Sequence, residues 1–340
     1  MSGSPLSVRK GLILILGLPR SGTSWLGKVF DSHPDVSYLH EPDKHVQGEL
    51  PLLLPVERSA EEREETEIFL DKVLANRSPA VTGKRPVFSK SYRSCPRELL
   101  RRSLLLASRA LPRPQALSLQ IPDLIDPGRA ALRIVWKSIN SVGRLGALAR
   151  ALPRSHIVLL VRHPCGQIAS ILRGHAAGKF AHALPSEQYR VLEALVKTDR
   201  GRAHGLTLAS LRALQPVERM AWRWVLFLEK ALEEAAGLAP SCRVLRYEDL
   251  CAHPMEQTRD LFAFADLDWH PQTEHFLHDS TKSDGTEYFG VRKHPQRSAS
   301  RWQGELAEED VQRILAIVRR SPAGRLVLDD EEARRQDATG

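Results

Sequence analysis

The sequence predicts an α/β fold in three layers, a central parallel sheet flanked by helices, with a mainly helical insertion. Three observations carry this. Leu12 to Leu16 is an unbroken apolar run, long enough for a strand buried on both faces. It ends in Gly17, Pro19 and Gly22, after which Trp25, Leu26, Val29 and Phe30 recur at helical spacing. Apolar runs at His156 to Val161 and Arg243 to Tyr247, each followed by helical pattern, repeat the alternation.

In chain order, Asp35 to Leu39 is a second short strand and His40-Glu41-Pro42 marks its end. In doubly wound sheets the strand ends face the ligand crevice, so a carboxylate there looks toward it. Residues 43–128 read as an insertion over the cleft, with helices at Glu57 to Leu74 and Leu99 to Leu111 and a proline-punctuated loop. Strand pattern resumes at Arg133 to Trp136, ending at Lys137-Ser138, and a helix spans about Val142 to Leu152. Ser186 to Gly237 is largely helical. Trp222 and Trp224, two apart, cannot share one helix face. Helices are expected at Met255 to Ala265, Pro271 to His278 and Trp302 to Val318, with a flexible basic loop from Ser280 to Arg301. Residues 1–328 form one domain and 329–340 a disordered, charged tail.

Strand, glycine turn and helix N-terminus together make an anion-binding loop. Backbone amides and the positive end of the helix dipole converge there, and Ser21 or Thr23 is placed to cap the helix. A nucleoside-triphosphate loop reads G-x-x-x-x-G-K-[ST], its lysine reaching the terminal phosphates. Gly17 and Gly22 keep that spacing, but Thr23 stands at the lysine position and the cation is Arg20, inside the turn. Later, Arg162 follows a strand and Ser170 lies two helical turns beyond it. An arginine fork plus a hydroxyl suits a phosphate monoester.

The stretch Leu18-Pro19-Arg20-Ser21-Gly22-Thr23-Ser24-Trp25 resembles the 5′-phosphosulfate loop of sulfotransferases, which use 3′-phosphoadenosine 5′-phosphosulfate (PAPS). Arginine at position 20 is similar to the carbohydrate-type members, where cytosolic members carry lysine. Val161 to Ser170 resembles the family's 3′-phosphate motif, which implies that Arg162 and Ser170 bind that phosphate. Many members have aspartate where His163 stands. Arg246 to Leu250 also matches the family, with no catalytic role carried over. Arg292, Lys293, Arg297, Ser298 and Arg301 lie where family members fold a C-terminal loop over the nucleotide, and Arg297 and Arg301 are the expected contacts. The resemblance covers residues 11–42 and 130–305.

The expected activity is transfer of a sulfuryl group from PAPS to a hydroxyl of a carbohydrate, glycolipid or other small acceptor. Arg20 is assigned to the bridging and sulfuryl oxygens, and Ser21 to Ser24 to the 5′-phosphate. Glu41 is the expected base, with its pKa raised on desolvation, and His40 the second candidate. A P-loop nucleotide kinase or NTPase, and a non-catalytic nucleotide- or nucleic-acid-binding module, are the alternatives.

The 340 residues carry a net charge of +8, which suits a polyanionic ligand and by itself also suits nucleic acid or a membrane surface. No nucleic-acid partner is expected once the loops are taken into account. No apolar run reaches the length of a membrane span, and the four cysteines show neither CxxC spacing nor disulfide density, so a cytoplasmic protein is expected. His270, His275 and His278 lack the pattern of a zinc helix, and no metal is expected.

Overall fold

The computed structural model describes residues 11–46, 50–110, 119–129, 133–179, 183–282 and 294–328. The N-terminal residues, Arg292 and Lys293 of the basic loop, and the tail 329–340 lie outside the described residues. Five parallel strands form the sheet: β1 (Leu12–Leu16), β2 (Val36–His40), β3 (Arg133–Ser138), β4 (His156–Val161) and β5 (Cys242–Arg246). Their order is β2-β3-β1-β4-β5, so β1 is central and the chain reverses direction across the sheet on either side of it. That reversal opens the crevice at the strands' C-terminal ends where doubly wound folds bind ligands.

Alternation along β1 divides the core. Leu12, Leu14 and Leu16 join one apolar cluster with Phe69, Trp136 and Trp224. Ile13 and Ile15 join the other, with Leu26, Val29, Phe30 and Phe262. Successive strand side chains point to opposite faces, so a strand covered on both sides must be apolar throughout. The three layers follow from that run.

Helix α1 (Thr23–Ser32) lies on the second face. Its N-cap is Gly22, in the left-handed region at φ 102°, and no side chain caps it, contrary to the role expected for Ser21 or Thr23. The expected Glu57 to Leu74 helix is α2 (Ala60–Ala75), started by a Ser59–Glu62 capping box. The helix expected at Leu99 to Leu111 is α3 (Cys95–Ala107), begun earlier by Pro96 in its first turn. Phe69, Leu70, Val73 and Leu74 of α2 belong to the main core. Part of the expected insertion therefore completes the central layers.

Helix α4 (Pro164–Ala176) follows β4, and α5 (Pro216–Ala236) is the long helix of the first face. Trp224 is 2% exposed and Trp222 half-buried against His204, with ring centroids 5.1 Å apart, so the pair does divide between faces. Helix α6 (Pro271–Lys282) runs a turn further than expected. Within the expected loop, Pro295–Ser300 is a short helix, α7, beginning at the proline. The last helix is not continuous from Trp302. A 3₁₀ turn at Arg301–Gly304 precedes α8 (Glu308–Val318), because Trp302 is drawn inward to stack on His163. Strand β3 is two residues longer than its apolar run, so Lys137 and Ser138 sit within the sheet.

Trp136 is fully buried beneath α2, its ring centroid 6.5 Å from that of Phe69. Trp136→Ala is expected to lower unfolding stability by about 3–5 kcal/mol through the cavity it leaves. Urea denaturation reads this directly; a loss under about 1 kcal/mol would mean that the site collapses around the gap.

Candidate functional site

The loop after β1 is shaped by close approaches. A side-chain carbon at Gly17 would lie 2.7 Å from the Leu160 carbonyl oxygen and 2.5 Å from Ser21 Oγ. At Gly22 it would lie 2.4 Å from the Tyr247 ring. Arg20 is left-handed at φ 71°, a conformation disfavoured for a long side chain. Flanked by left-handed Arg20 and Gly22, Ser21 donates its amide to Leu18 O at 3.1 Å, so that amide is spent within the turn. Ser21 Oγ is buried and has no protein partner. Trp25 and Leu26 donate to Gly22 O at 3.0 and 3.2 Å, leaving the Thr23 and Ser24 amides at the positive end of α1, ahead of the intrahelical ladder. An orphaned hydroxyl, two end amides and a glycine-lined turn fit a bound anion.

The second motif meets this loop because β4 pairs with β1. Arg20 Nε donates to Ser170 Oγ at 3.1 Å, and Arg162 Nη1 donates to the Arg20 carbonyl at 2.9 Å. Residues some 150 positions apart are thus tied by two hydrogen bonds running in opposite directions. Arg162 also donates from Nη2 to Ser298 O at 2.6 Å, lies 4.4 Å over the Tyr247 ring, and keeps a buried Nε with no partner. Trp224 Nε1 holds the Arg162 carbonyl at 3.1 Å, and Glu248 accepts from the His163 amide at 3.1 Å. The Arg246 to Leu250 stretch therefore positions the second motif through Tyr247 and Glu248.

The third group stands across β3. Glu41 donates its amide to Lys137 O at 2.8 Å, and Gly17 donates to Ser138 O at 3.3 Å. Two consecutive carbonyls of β3 thus fix the acid on one side and the loop on the other. Glu41 leaves the strand at φ 49°, which ends the alternation that would have sent it away from His40. The two side chains sit together, His40 Nε2 lying 3.8 Å from Glu41 Oε1. The buried Lys137 ammonium pairs with the Glu41 carboxylate.

The electrostatics differ from expectation. Burial alone would raise the Glu41 pKa, but the Lys137 charge and its hydrogen bond override it and hold the carboxyl at about 2. Burial, then the Lys137 charge, push His40 well below its ordinary value, so its ring is neutral. Its Nδ1 lies 2.9 Å from the Tyr38 hydroxyl. Tyr38 is held protonated by burial, and Glu41 beside Nε2 favours a proton there, leaving Nδ1 to accept from Tyr38.

Arg20, Ser21, Gly22, Thr23, Ser24, Arg162 and Ser170 thus converge, with Pro19 in the turn. Trp25 turns aside, its Nε1 donating to Ser280 Oγ at 3.1 Å on α6. Arg301 pairs with Glu305 at 2.5 Å, which also holds Arg173. The exposed Arg297 lies on α7, whose approach to Arg162 is made by the Ser298 backbone. Sequence reasoning missed Lys137 as a functional residue; its one signal is a lysine ending an apolar strand. Tyr38 gave none, since its role depends on packing, while Tyr247 and Glu248 lay in the Arg246 to Leu250 stretch to which no role was assigned. Among the described residues, no group of three or more histidine, cysteine, aspartate or glutamate side chains is gathered to hold a metal ion, and no helix is long and apolar enough to cross a membrane.

The profile of the "Sulfotransferase family" matches residues 13–215. Carbohydrate sulfotransferase 5 of Homo sapiens is 29% identical over 331 residues, covering 90% of this chain and 74% of its own length. Carbohydrate sulfotransferase 6 of Homo sapiens and carbohydrate sulfotransferase 5 of Mus musculus are each 27% identical, covering 85% of this chain and 71% of theirs. The match takes in all three parts of the site, and these relatives agree with the carbohydrate-type resemblance of the Arg20 loop.

The Lys137–Glu41 pair has a sign that titration tests. Its stabilising effect is present above about pH 4.5 and is lost as pH falls through about 2. In Lys137→Met the burial remains without the cation, so the Glu41 carboxyl should titrate above its ordinary 4.5. Carbon-13 NMR of the glutamate carboxyls reads both values; an unmoved Glu41 resonance would remove Lys137 as the cause.

Proposed function

Because the chain belongs to the sulfotransferase family, we propose that it moves a sulfuryl group from PAPS to a hydroxyl of a carbohydrate or similar small acceptor. The observation that carries this reading is the pinning of Glu41 and Gly17 to adjacent carbonyls of β3, which sets a proton acceptor beside an anion loop. The buried, partnerless Ser21 Oγ and Arg162 Nε support a ligand with more than one anionic group.

Ser21 Oγ and the Thr23 and Ser24 amides hold the 5′-phosphate, and Arg162 with Ser170 holds the 3′-phosphate. PAPS supplies the activated sulfuryl group. Arg20, already hydrogen-bonded to Ser170, places a cation where negative charge grows on the leaving oxygen, and this is electrostatic stabilisation by a preorganised group. Lys137 adds a second buried cation beside the acceptor side.

Glu41 takes the acceptor proton. A carboxyl held at about 2 is a poor base, so Lys137 must first be drawn toward other negative charge. Burial then raises the carboxyl's proton affinity. His40, neutral and hydrogen-bonded to Tyr38, orients the acceptor hydroxyl and stands ready as the alternative proton acceptor. The lysine position of a triphosphate loop is Thr23, almost fully buried as the first residue of α1, so nothing here favours nucleotide hydrolysis.

Transfer of labelled sulfate from PAPS to a panel of glycans, glycolipids and hydroxylated metabolites tests the activity. Arg20→Ala should lower kcat about 10²–10³-fold with unchanged thermal stability; near-normal turnover would take Arg20 out of the mechanism. Glu41→Gln should lower kcat about 10²–10⁴-fold while leaving adenosine 3′,5′-bisphosphate affinity intact. If it slows nothing and His40→Gln does, the proton goes to His40.

A further inference from the structure

Two residues past Glu41 the chain carries a second acid, Asp43, in the 3₁₀ turn Pro42–Val46 that follows β2. Its side chain is fully buried. Oδ2 accepts from Ser138 Oγ and from Ser141 Oγ, the latter at 2.7 Å. Ser138 Oγ in turn accepts from the Asn140 and Ser141 amides, each at 3.0 Å, which closes the turn after β3. Arg144 donates from Nη1 to Ser141 Oγ at 3.3 Å and lies 4.0 Å from Asp43 Oδ2. The same guanidinium donates to the Leu50 carbonyl and, at 2.8 Å, to that of Pro51, and it lies 5.0 Å over the Phe69 ring. One carboxylate oxygen gathers the exits of β2 and β3, and Arg144 anchors them to residues 50–51 and to α2.

Stability does not account for this acid. Its other oxygen, Oδ1, is buried with no hydrogen-bond partner. A buried carboxylate with an unfilled oxygen is costly, and well-packed apolar groups in such a place are commonly as stable or more so. Burial pushes the Asp43 carboxyl up, and the two serine hydroxyls and then the Arg144 charge oppose it.

What the network secures is geometry. Ser138, whose hydroxyl Asp43 holds, directly follows Lys137, which takes the Glu41 amide on its carbonyl and pairs its ammonium with the Glu41 carboxylate. On the other side, Glu41 O accepts from Lys44 N at 3.0 Å, so Asp43 lies inside the turn that fixes the left-handed Glu41. A closed ring results: Glu41 to Asp43 along the chain, across to Ser138, back one residue to Lys137, and across again to Glu41. No member of the ring can shift without straining another.

We propose that Asp43 is a positioning residue for the proton acceptor, clamping the turn after β3 to the turn after β2 so that Glu41 and Lys137 stay paired across the strand ends. This deepens the role given to Glu41 above and rests on it.

Two variants of the full chain test the clamp. Asp43→Asn keeps an oxygen acceptor for the two serine hydroxyls, and Asp43→Ala removes it. In sulfate transfer from PAPS, Asp43→Ala should lower kcat about 10–10²-fold, with adenosine 3′,5′-bisphosphate affinity within about 3-fold of wild type. Asp43→Asn should recover most of that loss. Carbon-13 NMR of the Glu41 carboxyl supplies a readout independent of turnover. Removing the Asp43 charge alone can only move the Glu41 carboxyl down, whereas loosening the Lys137 contact moves it up from about 2. The expected result is a rise in Asp43→Ala and little change in Asp43→Asn. Ser141→Ala, which removes one of the two bonds to Oδ2, serves if Asp43→Ala does not fold; it should raise the Glu41 carboxyl and lower kcat about 3-fold. An unaltered kcat, an equal loss in Asp43→Asn and Asp43→Ala, or a Glu41 carboxyl that stays put or moves down overturns the positioning role. If the wild type transfers no sulfate, the transfer reading fails instead, and the titration still decides whether Asp43 holds Glu41.

Discussion

The C-terminal end of β3 is the constraint on which the site depends. Its last two carbonyls accept from Glu41 on the β2 side and Gly17 on the β1 side. These bonds extend the parallel ladder by one residue on each flank, just where the sheet gives out and the chain must turn. The Lys137 side chain, from the same strand end, pairs with Glu41. One short segment therefore fixes the anion loop, the candidate base and the cation between them. Because the sheet is buried on both faces, this end has little freedom to relax.

Cations are assembled in two sets. At the anion loop Arg20 and Arg162 are crossed, each bonding an atom of the other motif. Beside β2, Lys28 and Lys90 share the Asp31 carboxylate, and Arg93 and Arg101 line the same recess. Burial lowers the pKa of Lys28 and Lys90, and Asp31 opposes the shift. Positive charge at this density is stabilised by anions, and Asp31 and Glu98 supply them among the described residues. The net charge of +8, uninformative as a sum, acquires meaning through this placement.

Much of the fold was legible because its signals are local. An apolar run such as Leu12 to Leu16 admits few alternatives, and the change of period after Gly22 marks a helix without reference to any other part of the chain. Where local pattern met long-range packing it lost detail. The helix expected from Trp302 is broken, since stacking on His163 outweighs a few residues of helical continuity. The segment 60–75, taken as part of an insertion, supplies Phe69, Leu70, Val73 and Leu74 to the main core, a role that charge-rich surroundings concealed. Of the candidate site, Arg20, Glu41, Arg162 and Ser170 were legible from their motifs. Lys137 was not, because a lone lysine at a strand end has the same appearance whether it faces solvent or a carboxylate.

By itself the sequence determined the class of fold, the anion loop and the departure of Arg20 and Thr23 from a triphosphate loop, since each is written in adjacent residues. Only the tertiary structure decided the state of the acid and what surrounds it. Whether Glu41 is a free carboxylate or one clamped by a cation depends on a strand that arrives almost a hundred residues later, and on a left-handed turn that places it beside His40. The clamp between Asp43 and the turn after β3 is of the same kind. An ion pair and a buried hydrogen bond are properties of distances between segments, and spacing along the chain does not contain them.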